Sequence, residues 1–407
     1  MDFTYVEEEK VAKIKVIGIG GAGGNAVNNM IEYNLRGVKF ITANTDAQAL
    51  ELSRAATKIQ LGAKLTEGLG AGANPQVGRE AALENTEELR KVLEGSHMVF
   101  ITAGFGGGTG TGAAPIVAEI CKELGILTVA VVSKPFSFEG KKRLKQAEEG
   151  IQELKDIADT VITIPNDRLR GIASKNAKMV DMFKKADEIL HHSVKGITDL
   201  IMMPGLVNLD FADVKTTMSK AGMALMGIGI ASGENRAIEA AERAISHPLL
   251  EDISISGAKG VLLNITSTSE ITMEEMTEAS DRIHQEVGDS AEIIWGQTID
   301  ESMGDEMRVT VIATGIGSDT FSSAKEPHAK PIARFNPPVE TSLRGKIRDL
   351  TPDDLQSATI LDEPTFIRQT EKRVGNDSRG SSYRGYKGIV IDNDDLDVPT
   401  FLRRKAD

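Results

Sequence analysis

The stretch from Gly104 to Pro115, GFGGGTGTGAAP, places six glycines and two threonines between an apolar run and a helical pattern. Glycine loses much backbone entropy on folding, so such a run needs a physical reason. A backbone without Cβ atoms can approach an anion closely, and the unpaired N–H groups of a helix start attract one. Thr109 and Thr111 add hydroxyl donors, and the missing lysine excludes a Walker A loop. The stretch therefore predicts a polyphosphate held by backbone donors, with a flexible surface loop as the simpler alternative.

Two further glycine-rich loops precede this one. IGIGGAGGNAV satisfies G-x-G-x-x-G from Gly18 to Gly23, and Asp46 follows about two dozen positions later. Alone, this is a weak dinucleotide fingerprint and fits a tight strand-to-helix turn equally well. GLGAGANPQVG places Ala71 and Gly72 before a helix, which by itself is only turn chemistry. Three such loops in one domain indicate a nucleoside triphosphate.

The elements around these loops predict a doubly wound α/β fold. From Val11 to Ser174, apolar runs alternate with helical segments, as in a parallel sheet buried on both faces. Ligands of such sheets bind beyond the carboxyl ends of the strands. A long helical pattern and a second, smaller α/β domain follow. The predicted divisions are an N-terminal tail (1–10), a first domain that carries the glycine loops (11–176), a bridging helix (177–203), a second C-terminal domain (204–317), a disordered linker (318–391) and a C-terminal peptide (392–407).

Composition narrows the class of protein. A formal net charge of -13 argues against a general nucleic-acid binder, which needs a basic face. The single cysteine, Cys121, excludes an intramolecular disulfide and fits a reducing compartment. The N-terminal sequence has no signal-peptide pattern, and no apolar run approaches the roughly 20 residues of a membrane span. We therefore expect a soluble, cytoplasmic protein.

The run from Gly106 to Gly112, GGGTGTG, resembles the signature of the tubulin/FtsZ family, in the form found in its bacterial cell-division members. The resemblance extends over residues 11–317 and returns in the last dozen or so residues. It implies a GTP-binding, GTP-hydrolysing protein that polymerises head to tail. It also implies a scaffold of the bacterial division ring, cytoplasmic and on the inner face of the membrane.

The same resemblance assigns the nucleotide contacts. It gives Glu139 and Arg143 to the ribose and a nearby phosphate, and Asn166 to the base or ribose. Phe183 and Asp187, four apart on the bridging helix, would stack on guanine and accept its two N–H groups, although sequence alone favours a core ring and a surface charge. Mg²⁺ is expected on the β and γ phosphates, with no protein metal ligand. The phosphate contacts are Gly21, Ala22, Gly23, Gly24, Asn25, Ala71, Gly72, Gly104, Gly106, Gly107, Gly108, Thr109, Gly110 and Thr111.

The catalytic residues implied by the resemblance are Asn208, Asp210 and Asp213, in NLDFAD. They match the family's N-x-D-x-x-D loop, which reaches the γ-phosphate of the next subunit. Sequence alone favours a capping box at a helix start. Because head-to-tail contacts are heterologous, they generate an open filament, and hydrolysis should depend on assembly.

The C-terminal segment LDVPTFLRR resembles the family's docking peptide. It would bind membrane adaptors and regulatory division proteins, with a frayed tail as the alternative, and contact with the membrane would be indirect. Its apolar anchors are Leu396, Val398, Phe401 and Leu402.

Two other functions compete with the filament-forming GTPase. An NAD(P)-dependent oxidoreductase would use the loop from Gly18 to Gly23, but it has no use for the second glycine run. Its ribose-binding acid is expected at the end of KFITANT, where Asn44 stands. A GTP-binding regulator that does not polymerise is disfavoured by the acidic pair Asp210 and Asp213.

Overall fold

The computed structural model describes residues 12–171, 178–203, 205, 210–219, 222–250, 255–288, 291–316, 383–384 and 390–391. The main body contains ten strands: β1 (Ile14–Ile19), β2 (Val38–Asn44), β3 (Thr57–Gln60), β4 (Met98–Gly104), β5 (Leu127–Lys134), β6 (Thr160–Pro165), β7 (Gly222–Ser232), β8 (Gly260–Ser267), β9 (Glu292–Ile299) and β10 (Glu306–Thr314). Its helices are α1 (Gly20–Glu32), α2 (Ala47–Glu51), α3 (Ala63–Thr66), α4 (Pro75–Glu84), α5 (Thr86–Leu93), α6 (Thr109–Glu123), α7 (Lys141–Ile157), α8 (Met179–Met202), α9 (Phe211–Ser219), α10 (Arg236–Ile245) and α11 (Met273–Val287).

The first six strands form a parallel sheet in the order β3-β2-β1-β4-β5-β6. β1 lies in the middle and pairs with both β2 and β4 in register, from Ile14 to Ile19. All six carboxyl ends therefore lie at one edge. The glycine loops after β1 and β4 meet there, as the doubly wound fold predicts.

The remaining strands extend the same sheet in the order β7-β10-β8-β9. β7 continues the parallel array beside β6, while β10 runs antiparallel to both β7 and β8. Few residues connect β9 to β10. Parallel strands need a crossover connection of about a dozen residues or more, so this short connection is consistent with an antiparallel β10. The α/β fold class is confirmed, and the domain limits given above stay a prediction.

Apolar side chains cover both faces of the sheet. One cluster joins α4, α5, α6 and α7 to one face, and another joins α1 and α8 to the opposite face. On α8, Ile189, Leu190, Val194 and Ile197 are buried, as their helical spacing predicts. No helix in the described ranges is long and apolar enough to span a membrane.

Several elements differ from the sequence pattern. The helical pattern between residues 77 and 93 is two helices, because the chain leaves helical geometry at Asn85, which caps α4 and begins α5. Helix α1 starts at Gly20, inside the first glycine loop. A separate unit contains β11 (Tyr383–Arg384) and β12 (Val390–Ile391), an antiparallel pair within the predicted linker. The predicted partner-binding peptide lies outside the described residues.

Candidate functional site

The three glycine-rich loops contact one another at the carboxyl edge of the sheet. A Cβ on Gly20 would lie 3.1 Å from the Gly110 nitrogen, so the loops after β1 and β4 touch. A Cβ on Gly108 would lie 2.7 Å from Ala71 Cβ and 3.0 Å from the Asn74 nitrogen. The third loop therefore packs directly on the start of α6. Only glycine permits these approaches.

A cavity of about 420 Å³, here called the glycine-loop cavity, opens where these loops converge. A Cβ on Gly21 or Gly107 would meet no atom of the described residues within 4 Å, so both backbones are open on this side. Glycine backbone at the start of α1 and just before the start of α6 therefore borders a cavity large enough for a small ligand. It is lined by Gly20, Gly21, Ala22, Gly104, Phe105, Gly107, Gly108, Thr109, Gly110, Ser133, Pro135, Glu139, Arg143, Asn166, Phe183, Ala186 and Asp187.

Some predicted phosphate contacts lie behind the cavity wall. Gly23 is buried, and its Cβ would meet the Thr102 carbonyl oxygen at 2.4 Å. The Thr111 hydroxyl accepts a hydrogen bond of 2.9 Å from the Gly106 N–H. Thr111 and Gly106 thus shape the signature loop from behind, with Gly106 at a φ of 92°.

Other predicted contacts are not among the residues that line the glycine-loop cavity. Gly24 and Asn25 line a smaller cavity of about 100 Å³ between the first loop and β2. Ala71 is buried against Gly108, whereas a Cβ on Gly72 would meet nothing within 4 Å. Gly72 therefore presents open backbone beside the glycine-loop cavity.

The far end of the cavity carries a ring, a carboxyl group and an amide. Phe183 is 42% exposed and packs edge-on against Phe136, with ring centroids 5.4 Å apart. Asp187 accepts a hydrogen bond of 3.2 Å from Asn29, and burial raises the pKa of its carboxyl to about 7 while that bond opposes the rise. The buried Oδ1 of Asn166 has no hydrogen-bond partner among the described residues. These groups can accept donors from a planar heterocycle stacked on Phe183.

Glu139 and Arg143 form an ion pair at the entrance to the cavity, with 2.7 Å between Oε2 and Nη1. The other Glu139 oxygen accepts a hydrogen bond of 2.9 Å from the Phe136 N–H. The pair stands at the start of α7, just beyond β5, as the sequence pattern predicts. Arg143 is half-exposed and available to an anion.

Sequence reasoning missed several residues of this site. The Thr45 and Thr109 hydroxyls are 2.7 Å apart and tie the end of β2 to the start of α6. Asn29 donates a hydrogen bond to Asp187. Its position on α1, one turn beyond the first glycine loop, was the sequence feature that could have predicted its place in the site. The cavity residues not predicted are Gly20, Phe105, Ser133, Pro135 and Ala186.

The predicted acidic pair lies at the opposite edge of the sheet. Phe211, next to Asp210, packs against His97 with centroids 6.0 Å apart, and His97 immediately precedes β4. The Thr160 hydroxyl, at the amino end of β6, donates to the Met218 carbonyl of α9 at 2.5 Å. At about 3.3 Å per residue, β4 separates this edge from the cavity by roughly 20 Å.

The two carboxylates are exposed at the start of α9. The Asp213 N–H donates to the Asp210 carbonyl at 3.0 Å, and in the described part of the chain neither side chain accepts a hydrogen bond. The capping box, favoured by sequence alone, is therefore not formed among these residues. Asn208 lies outside the described residues.

No group of three or more His, Cys, Asp or Glu side chains in the described ranges could hold a metal ion. His191 and His192 lie side by side on α8, with centroids 5.3 Å apart. Burial lowers the pKa of His191 to about 3 and that of His192 to about 4.

Comparisons with known proteins agree with this arrangement. The sequence model of the tubulin/FtsZ family GTPase domain matches residues 13–174, and that of the FtsZ family C-terminal domain matches residues 222–317. Together with the relatives below, these matches show that the chain belongs to the tubulin/FtsZ family of GTPases. The prediction made from the glycine run is confirmed, and no match supports an oxidoreductase.

Within this family the chain is similar to proteins named cell division protein FtsZ. The one from Pseudomonas aeruginosa is 49% identical over 98% of this chain and 98% of its own length. The one from Coxiella burnetii is 50% identical over 97% of this chain and 96% of its own. A solved FtsZ dimer from M. jannaschii is 47% identical, with a TM-score of 0.73, and the match covers 77% of this chain and 91% of that one.

Proposed function

We propose that GTP and GDP bind in the glycine-loop cavity. The phosphates lie against the open backbone of Gly21 and Gly107, with Gly72 beside the terminal phosphate. Phe183 stacks on the base, and the Asp187 carboxylate accepts the two N–H groups that guanine offers and adenine lacks. The unpartnered Asn166 Oδ1 supports a polar ligand at this end.

Hydrolysis is completed by a second copy of the chain. The observation that carries this proposal is the placement of Asp210 and Asp213 about one strand length from the cavity of their own chain, at the opposite edge of the sheet. Stacking two copies edge to edge brings one copy's exposed carboxylates to the other copy's phosphates. There they position the attacking water. Repeating this heterologous contact yields a filament.

The filament acts as a scaffold of the division ring at the inner face of the membrane. The names of the relatives support this role. Residues 392–407 dock adaptor and regulatory proteins, with Leu396, Val398, Phe401 and Leu402 as apolar anchors. Mg²⁺ on the β and γ phosphates neutralises charge there, held chiefly by phosphate oxygens and water.

The test is phosphate release from GTP as a function of protein concentration. Asp213→Ala is expected to bind GTP normally and to lose most of its turnover. Its matched control is Glu274→Ala, which removes an exposed first-turn carboxylate from α11. Activity that rises linearly with concentration, without a threshold, would overturn the proposal.

Mixing two variants tests the cross-subunit arrangement directly. Asp213→Ala subunits retain bound GTP but lack the carboxylate. Asp187→Ala subunits keep Asp213 but bind guanine poorly. Together they should recover part of the turnover that each lacks alone, because one provides the pocket and the other the acid. If the mixture is only as active as the sum of its parts, the acid does not act on a neighbour.

A further inference from the structure

A second cavity, of about 320 Å³, lies where the two halves of the sheet join. We name it the seam cavity. Its apolar floor consists of Ile151 on α7, Pro165 at the end of β6, Met223 and Leu225 on β7, and Leu249 after α10. Its size falls at the lower end of small-molecule sites, roughly 300–1,000 Å³. It shares no residue with the glycine-loop cavity.

The seam cavity forms because β6 and β7 pair over only part of their length. Only three residue pairs join these strands, ending at Ile162 and Ala224, whereas β4 and β5 are joined by seven. Beyond that point the strands are no longer paired, and Thr163 and Leu225 line the gap between them. The buried Thr163 hydroxyl has no hydrogen-bond partner within the described ranges.

The rim of the seam cavity is cationic. Among the described residues that line it, Lys134, Lys155 and Arg168 carry positive charge and Glu148 carries negative charge. Glu148 is engaged by Lys134, with 3.2 Å between Oε1 and Nζ. Lys155 forms no hydrogen bond or ion pair with any residue in the part of the chain that the structure describes.

The surroundings of Lys155 also disfavour the charged form of its side chain. Its burial, followed by the nearby charge of Lys134, lowers its pKa. An anion at this position would relieve that repulsion and pair with a partly desolvated ammonium group.

We propose that the seam cavity binds a small organic carboxylate with an apolar body. The carboxylate pairs with Lys155 at the rim. The apolar body covers Met223, Leu225 and Leu249. Such a ligand contacts α7 and β6 on one side and β7 on the other. It therefore ties together the two parts of the sheet that only three residue pairs connect.

Decanoate is a suitable probe, measured by displacement of 8-anilinonaphthalene-1-sulfonate from the full chain. Saturating GDP keeps both compounds out of the glycine-loop cavity. Saturable displacement by decanoate, and much weaker displacement by uncharged decanol, is expected. Hydrogen exchange should slow in β6 and β7 when decanoate is present.

Two charge reversals on α7 provide the specificity test. Lys155→Glu should weaken decanoate binding at least about tenfold, equivalent to about 1.4 kcal/mol. Lys145→Glu makes the same change in net charge at an exposed position outside the cavity, and it should leave binding unchanged. Lys155→Met keeps the apolar stem and should lose affinity as well, so the test survives if the reversal does not fold.

Absence of saturable binding, or equal losses in Lys155→Glu and Lys145→Glu, would overturn the proposal. GTP turnover of the same variants is measured separately. Its outcome reports on the glycine-loop cavity and the acidic pair, so failure of one proposal is distinguishable from failure of the other.

Discussion

The Asp187 carboxyl group is expected to make guanine-nucleotide affinity depend on pH near neutrality. Burial raises its pKa to about 7, and the hydrogen bond from Asn29 opposes that rise. Only the ionised carboxylate can accept both N–H groups of guanine, since a protonated acid presents a donor to one of them. Nucleotide therefore binds the ionised form, and affinity is lost as the pH falls through this pKa.

The size of the effect follows from the ionised fraction. The apparent dissociation constant equals the intrinsic constant divided by the fraction of competent protein. With a pKa of about 7, about nine-tenths of the Asp187 side chains are ionised at about pH 8 and about one-tenth at about pH 6. GDP should therefore bind about tenfold more weakly at the lower pH. Asn29→Ala removes the bond that favours the charged form, so its midpoint should move to higher pH.

The assay is equilibrium binding of a fluorescent GDP analogue across this pH range. Asp187→Asn is the matched control, because it removes the titrating group and leaves only the titration of the ligand phosphate. Asparagine offers one acceptor and one donor, so this variant should also shift preference from guanine toward xanthine. If wild type and Asp187→Asn lose affinity in parallel as the pH falls, Asp187 does not contact the base as proposed.

Two further predictions concern the fold around the site. Gly108→Ala should lower the free energy of unfolding of the nucleotide-free protein by about 1–3 kcal/mol, because its Cβ would lie 2.7 Å from Ala71 Cβ, and its melting temperature should fall accordingly. Gly107→Ala, whose Cβ would meet no described atom within 4 Å, should melt as the wild type does, and equal melting temperatures of the two variants would contradict this. Burial lowers the pKa of His191 from 6.5 to about 3, so the unfolded chain takes up the proton first and stability falls as the pH drops below 6.5. His191 should account for about 2 kcal/mol of the stability lost by about pH 5 in urea unfolding, in addition to the loss from His192, whose pKa burial lowers as well. His191→Gln should reduce this loss, and an unchanged slope in that variant would refute the assignment.

The sequence predicts those parts of the fold in which the apolar pattern of a single helix or strand determines which of its residues are buried. β4 and β5 are continuous apolar runs, and both are central strands. The buried stripe on α8 follows from helical spacing alone. Glycine runs at strand ends predicted where the loops would meet, because parallel strands share one carboxyl edge.

Other parts depend on contacts between distant segments, which leave no local pattern. β3 has only four residues, TKIQ, and lies at the edge of the sheet, so it lacks an apolar run. The hydroxyl contact between Thr45 and Thr109 joins residues 64 positions apart. The seam cavity arises from the early end of the pairing between β6 and β7, which neither strand's sequence indicates.

The strand order of the first half illustrates why the site, and not the fold, decides the function. The order β3-β2-β1-β4-β5-β6 is also that of dinucleotide-binding folds, in which an acid near the end of β2 binds a ribose. Here the candidate acid, Asp46, instead accepts a hydrogen bond of 3.1 Å from the Ala49 N–H and caps α2. Asn44, at the end of β2, accepts a bond of 3.3 Å from the Asp46 N–H. Both groups are engaged by the local turn, so the dinucleotide fingerprint lacks its ribose partner. The unpartnered Oδ1 of Asn166 and the carboxyl of Asp187, which accepts one hydrogen bond from Asn29, lie at the other end of the sheet edge, where the proposed base would stack on Phe183.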